Sequence, residues 1–270
     1  MTMTKTANRF YAQNDEDRAL AQIFAKTVRG TCLEVGANDG VTLSNTYYFE
    51  RIGWRCILVE PNRDCCKKIR QARQAMLFEC AASEKEGNSV LFVGDGHDDV
   101  FSSFVVEDLP GNRERFTPVV VPTRTLDAIL ADAGICTLDF VTIDVEGYES
   151  QTLRGFALDR WKPYLVLLED NSGMMDADVE RHMQQEGYFR FWRSGVNDWY
   201  ARRDAGRAPL LLQIALSGCF SWKSFLKGNV PGTLMRKILA TKRKFLGRVR
   251  HYPDSPGGCA IRSSQQMGGQ

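Results

Sequence analysis

The sequence predicts an α/β fold: a mostly parallel sheet with helices on both faces, closed by an antiparallel hairpin. Three observations point there. Short apolar runs alternate with helical segments through the first two thirds of the chain. Several of these runs stop at an acid followed by Gly or Pro, as in "LEVGANDG", "ILVEP" and "TIDVEG". Two aromatic runs near residue 190 are separated by Ser194-Gly195-Val196-Asn197, a hairpin signal.

In chain order, Asp15–Val28 is expected to form an amphipathic helix with Leu20, Ile23, Phe24 and Val28 on its apolar face, ended by Gly30. Thr31–Val35, Arg55–Val59 and Met76–Cys80 read as strands. A helix over Asn62–Gln74, opened by Pro61, lies between the last two. Val90–Val93 is a further strand, followed by the loop GDGHDDVFSS. Phe140–Ile143 and Tyr164–Leu168 are apolar strands flanking a helix around Tyr148–Leu158, and Tyr188–Arg193 and Asp198–Arg202 form the hairpin.

The chain has 270 residues and an ordinary globular composition. Its charge is divided unevenly. Residues 1–200 hold 22 Lys and Arg against 31 Asp and Glu, and residues 201–270 hold 13 against 2. We read residues 1–204 as one domain and 205–270 as a basic, partly helical extension with a disordered end. The N-terminus lacks the apolar stretch of a signal peptide, and Leu210–Phe220 is too short to span a bilayer. The eight cysteines form no CxxC pair, which fits reduced thiols in a cytoplasmic protein.

In parallel sheets ligands bind beyond the carboxyl ends of the strands, so the strand-end acids carry the chemistry. Glu34 stands two residues before Gly36, and Gly36 and Gly40 form G-x-x-x-G instead of the G-x-G-x-x-G that a dinucleotide site uses. The acid suits a cation more than a pyrophosphate. Glu60 closes the second strand, where such sites accept a ribose diol. Cys80 and Ala81 close the third and can flank an adenine edge. A nucleoside with a cationic side chain, S-adenosylmethionine (SAM), fits all three. Each position also has a plain structural reading: a strand-to-helix turn for the glycines, a helix-start acid for Glu60.

"LEVGANDG", "ILVEPN", "CAAS", "TRTLDAIL" and "FVTIDVEGYESQTLRG" resemble, in order and spacing, the FkbM-type family of SAM-dependent methyltransferases, and "GVTLSNTYYFERIGWRCILVEPN" resembles its Ser-Asn-Thr branch. The resemblance implies a class I methyltransferase fold, Rossmann-like, with a mostly parallel seven-stranded sheet. It implies that Glu34, Gly36, Asn38 and Gly40 form the loop for the methionine side of SAM, that Glu60 holds the ribose and that Ala81 touches the adenine. It also implies that Ser44 and Asn45 close over the SAM carboxylate and that Asp144 faces the methionine moiety or the acceptor. Asp127 in "TRTLD" reads as a structural partner.

O-methylation of a hydroxyl on a sugar, glycan or natural product is the activity the resemblance implies, and it needs a base near the methyl group. Candidates are Asp144, Glu146, Glu169 and His97, the last in the GDGHDD loop. Asp144 with Glu169-Asp170-Asn171 resembles the magnesium site of catechol-type methyltransferases, but a capped turn before the next helix is the favoured reading; Mg²⁺ is an option and no metal is claimed. The segment "TLMRKILATKRKFLGRVR", with Leu234, Ile238, Leu239, Phe245 and Leu246 on one face, suits an anionic inner-membrane surface or the domain itself. No specific nucleic-acid partner is expected. The alternative function is a non-catalytic, membrane- or partner-binding protein on the same fold.

Overall fold

The computed structural model describes residues 9–94, 102–103, 116–171, 177–206, 209–210 and 213–214. From the N-terminus come α1 (Glu16–Ile23), β1 (Thr31–Val35), α2 (Tyr47–Arg51), β2 (Arg55–Val59), α3 (Arg63–Ala72), β3 (Met76–Phe78) and β4 (Ala81–Ala82). β5 (Gly87–Gly94), β6 (Ser102–Ser103), β7 (Phe116–Arg124) and α4 (Leu126–Asp132) follow. The second half holds β8 (Phe140–Ile143), α5 (Glu149–Arg154), α6 (Leu158–Trp161), β9 (Leu165–Glu169), α7 (Ala177–Gln185), β10 (Tyr188–Ser194) and β11 (Asn197–Arg202).

Seven strands form the main sheet in the order β10-β11-β9-β8-β1-β2-β3. The strands from β9 to β3 are parallel, and β11 is antiparallel to both β9 and β10. Numbered within this sheet alone, the order is 3-2-1-4-5-7-6 from the β3 edge, the class I methyltransferase arrangement that the resemblance implies. The chain builds outward from β1 to β3 and then returns to place β8 on the other side of β1. The gap between the ends of β1 and β8 is thus the switch point where such sheets bind ligands.

The parallel strands are apolar runs because both faces are covered. On one face Leu33, Val35, Ile57, Val141, Ile143 and Val166 pack under α4 to α7. On the other, Cys32, Cys56, Phe140, Leu165 and Leu167 pack under α1 and α2 through Leu20, Phe24 and Phe49. Glu34 alternates with Leu33 and Val35, so it shares the α2 face with Cys32. A second sheet, β4-β7-β5-β6, lies beside the main one. The six cysteines among the described residues are free thiols.

The bounds of β1, β2 and β8 match the sequence reading. Other elements differ for physical reasons. α1 stops at Ile23 with Phe24 as its C-cap, so Val28 falls off the apolar face and is 84% exposed. α3 starts at Arg63 because the Asn62 side chain accepts from Asp64 N and caps it. The single helix expected over Tyr148–Leu158 is two, α5 and α6. Gly155 sits between them, and a Cβ there would stand 2.0 Å from the Ser83 carbonyl oxygen. The third strand breaks after Phe78, and Ala81–Ala82 joins the second sheet.

Two long-range contacts join the ends of the described chain. Glu16, in the first turn of α1, accepts from Ser194 Oγ at 2.8 Å and Asn197 Nδ2 at 3.0 Å in the hairpin. Leu210 and Ile214, assigned by sequence to the extension, are fully buried against the α1 face, so the folded body continues past residue 204. The basic segment beyond them lies outside the described residues. Among the described residues no helix is long and apolar enough to cross a membrane.

Candidate functional site

The loop after β1 is anchored to the neighbouring strand ends. Gly36 N and Ala37 N donate to the Val59 carbonyl at 3.0 and 3.2 Å, and Asp144 N donates to the Val35 carbonyl at 3.0 Å. Gly36 takes φ +80°, and a Cβ there would lie 1.7 Å from the Asp144 carbonyl oxygen, so only glycine fits. Asn38 is also left-handed, at φ +49°. Its N–H donates to Glu60 Oε2 at 2.8 Å, and its Oδ1 accepts from the Cys65 thiol. Gly40, at φ +78°, leaves room for Arg73, whose Cδ would lie 3.0 Å from an added Cβ.

Glu34 meets protein groups on both oxygens. Oε1 accepts from Asn45 N at 2.8 Å. Oε2 accepts from Ser44 Oγ at 2.8 Å, from Thr46 Oγ1 and from Arg73 Nη1 at 3.2 Å. Ser44 is therefore turned to Glu34. Asn45 reaches across to β8, where its Nδ2 donates to Thr142 Oγ1 at 3.1 Å, while its buried Oδ1 has no partner among the described residues.

Glu60 is 5% exposed and receives one backbone N–H on each oxygen, from Asn38 and from Asn62, both at 2.8 Å. Burial pushes its carboxyl up to about 7, which the two N–H groups only partly oppose. One lone pair on each oxygen remains for a pair of hydroxyls. Ala81 starts β4, buried with Leu91 and Val121 of the second sheet.

At the end of β8 acids crowd together. Asp144, Glu146 and Glu169 each offer an oxygen within 4.8 Å of the others. Asp144 is exposed as a residue, yet its carboxyl is pushed well up by desolvation and then by the charges of Glu169, Glu146 and Glu149. Burial, followed by Glu169 and Glu149, raises Glu146 to about 7. Glu146 is left-handed at φ +51°, an uncommon state for a side chain of that size. Glu149 is raised to about 7 chiefly by burial, and its Oε1 accepts from Val145 N and Gly147 N, closing the turn that carries Glu146. Such a cluster can share protons or hold a divalent cation.

The model of the methyltransferase FkbM domain matches residues 34–190, more than half of the chain. The chain belongs to the FkbM methyltransferase family. No curated protein matches it. Similar solved structures include the ribosomal protein L11 methylase of Lactobacillus delbrueckii subsp. bulgaricus, at 11% identity over 71% of this chain and 79% of that one, with a TM-score of 0.38. Precorrin-6y C5,15-methyltransferase of Geobacter metallireducens GS-15 aligns at 13% identity over 74% and 90%, with a TM-score of 0.38. TrmK of M. capricolum, in complex with S-adenosyl-homocysteine, aligns at 11% identity over 84% and 96%, with a TM-score of 0.34.

Within the FkbM domain, then, Glu34, Gly36, Asn38, Gly40, Asn45, Glu60 and Asp144 gather around the β1–β8 switch point. His97 lies outside the described residues. Asp127 accepts from Ala157 N at 2.9 Å and Trp161 Nε1 at 2.7 Å, fastening α4 to α6. Asp170 pairs with Arg193 at 3.2 Å, so Glu169 supplies the acid of β9 to the cluster. Sequence reasoning passed over Arg73 and Glu149. Glu149 carries a readable signal, an acid at a helix start in "VEGYE". Arg73 carries none, since its partners lie up to 39 positions away.

Proposed function

We propose that the FkbM domain is a SAM-dependent O-methyltransferase acting on a hydroxyl of a sugar, glycan or natural product. The observation that carries this reading is Glu146, an acid raised to about 7 at the switch point beside Asp144. A base near neutrality is what a hydroxyl acceptor requires, because its proton must leave as the new bond forms.

The residues present fit SAM. Glu60 retains an acceptor position on each oxygen for the ribose diol, Gly36 brings backbone close to the switch point, and the Asn45 amide oxygen awaits a donor. SAM supplies a methyl group on a cationic sulfur. Glu60 would hold the ribose, residues 36–40 would line the methionine side, and Ala81 would border the adenine. Glu146 accepts the acceptor's proton, and burial, with the charges of Glu169 and Glu149, keeps that carboxyl from ionising too early. His97 is a second candidate base, outside the described residues. We assign the basic extension beyond residue 214 to contact with an anionic membrane surface, which would bring lipid-linked glycans within reach.

The test is transfer of a labelled methyl group from SAM to a panel of sugars, glycolipids and natural-product hydroxyls, with and without chelator. An O-methyl product formed equally in both arms supports the reading. A chelator-sensitive product moves the acid cluster to a cation, and an N- or C-methyl product overturns the acceptor class. Absence of any S-adenosylhomocysteine binding by calorimetry leaves the non-catalytic binding protein instead.

A further inference from the structure

The Arg73 guanidinium has 0% side-chain exposure, whereas the cations of the preceding helix, α3, face water. It follows the last turn of α3 as the C-cap, in extended conformation, which aims it back under the loop after β1. Nη1 donates to Glu34 Oε2 at 3.2 Å, to the Gly40 carbonyl at 3.0 Å and to Ser44 Oγ at 3.3 Å. Nη2 donates to Thr46 Oγ1 at 3.1 Å and Nε to Glu50 Oε2 at 2.7 Å. Burial works against the charge, but Glu34 and Glu50 more than reverse this and the net shift of Arg73 is upward.

α3 is therefore tied to the loop at both ends. At its start Glu60 receives the Asn38 N–H, and at its end Arg73 holds Glu34, Gly40, Ser44 and Thr46. Glu34 Oε2 is taken up by three protein donors, Ser44, Thr46 and Arg73, while Oε1 meets only the Asn45 N–H.

We propose that Arg73 is a positioning residue for cofactor binding. Acting through Glu34 and the Gly40 carbonyl, it sets the shape of residues 36–46 that receives the amino-acid half of SAM, while Glu60, held also by the Asn62 N–H, receives the nucleoside half. Arg73 itself does not touch the ligand. The proposal rests on the SAM reading above and adds which residue preorganises the loop.

Two probes separate the halves on the full chain by calorimetry: S-adenosylhomocysteine, which needs both, and adenosine, which needs only the Glu60 side. Arg73→Met is expected to weaken S-adenosylhomocysteine by roughly 100-fold and to move adenosine by less than about 2-fold. Arg73→Lys, which keeps the charge and loses the fork, falls between. Should Arg73→Met fail to fold, the pair Glu34→Gln with Arg73→Met removes both buried charges, and the same selective loss is expected there. Equal weakening of both probes assigns Arg73 a merely structural role and overturns the proposal, as does unchanged S-adenosylhomocysteine binding. A wild-type chain that binds neither probe removes the SAM reading itself.

Discussion

The carbonyl oxygen of Asp144 occupies the space that a side chain on Gly36 would need. This contact joins the end of β8 to the start of the cofactor loop without any side chain between them. Gly36→Ala must resolve both the clash and the left-handed φ of +80° by moving one strand end. The expected outcome is a loss of about 3 kcal/mol or more in urea unfolding, with no measurable S-adenosylhomocysteine binding in the fraction that folds.

The acids at the site make stability depend on pH in an unusual direction. Burial raises Glu60 from an ordinary 4.5 to about 7, and Glu146 and Glu149 shift the same way. The folded chain thus keeps protons that the unfolded chain releases. Their contribution is fully present below about 4.5 and is lost as pH rises through about 7. The urea midpoint of the free chain should fall between roughly pH 5 and 8, and Glu60→Gln should flatten part of that slope, by up to about 3 kcal/mol. S-adenosylhomocysteine affinity should rise over the same range, since the ionised Glu60 is the better acceptor for ribose hydroxyls. A stability that climbs with pH there would contradict this account.

Glu146 separates strain from chemistry. Glu146→Gly relieves the left-handed backbone and is expected to stabilise the fold by about 1 kcal/mol in thermal or urea unfolding. The same variant should lose methyl transfer by at least about 100-fold on whichever acceptor the screen yields. Glu146→Gln keeps the side chain's shape and should show a similar loss in kcat with KM little changed. A variant that stays active would move the base to Asp144 or to His97.

The folded body should not survive a cut at residue 204 unharmed. Leu210 and Ile214 are both fully buried beside Leu20 and Phe24. Leu210→Ala or Ile214→Ala is expected to cost about 2–5 kcal/mol in urea unfolding. Values near zero would mean that the segment after β11 only rests on the surface.

The central strands were legible because strands covered on both faces read as uninterrupted apolar runs, and Glu34, Glu60 and Asp144 were legible because acids at their carboxyl ends break those runs. β7 was not, since Pro118 and Pro122 argue against a strand and half its residues face solvent. α2 is only five residues long, too short for helical periodicity to show. The partners of Glu34 were invisible for another reason. A sequence places an acid on a strand face, but only the returning helix decides that Arg73, and not open space, lies in front of it.

The closure of the chain on itself sets an order of assembly. Glu16 begins α1, and its side-chain partners Ser194 and Asn197 leave the ribosome about 180 residues later. Until then the first helix has neither these hydrogen bonds nor the hairpin beneath it, and its apolar face, though Phe24 can already meet Trp54, lacks Trp199, Leu210 and Ile214. The first described helix is among the last elements to be secured. A nascent chain stalled before the hairpin would carry the cofactor loop and both early strands, but would expose that face to chaperones and proteases.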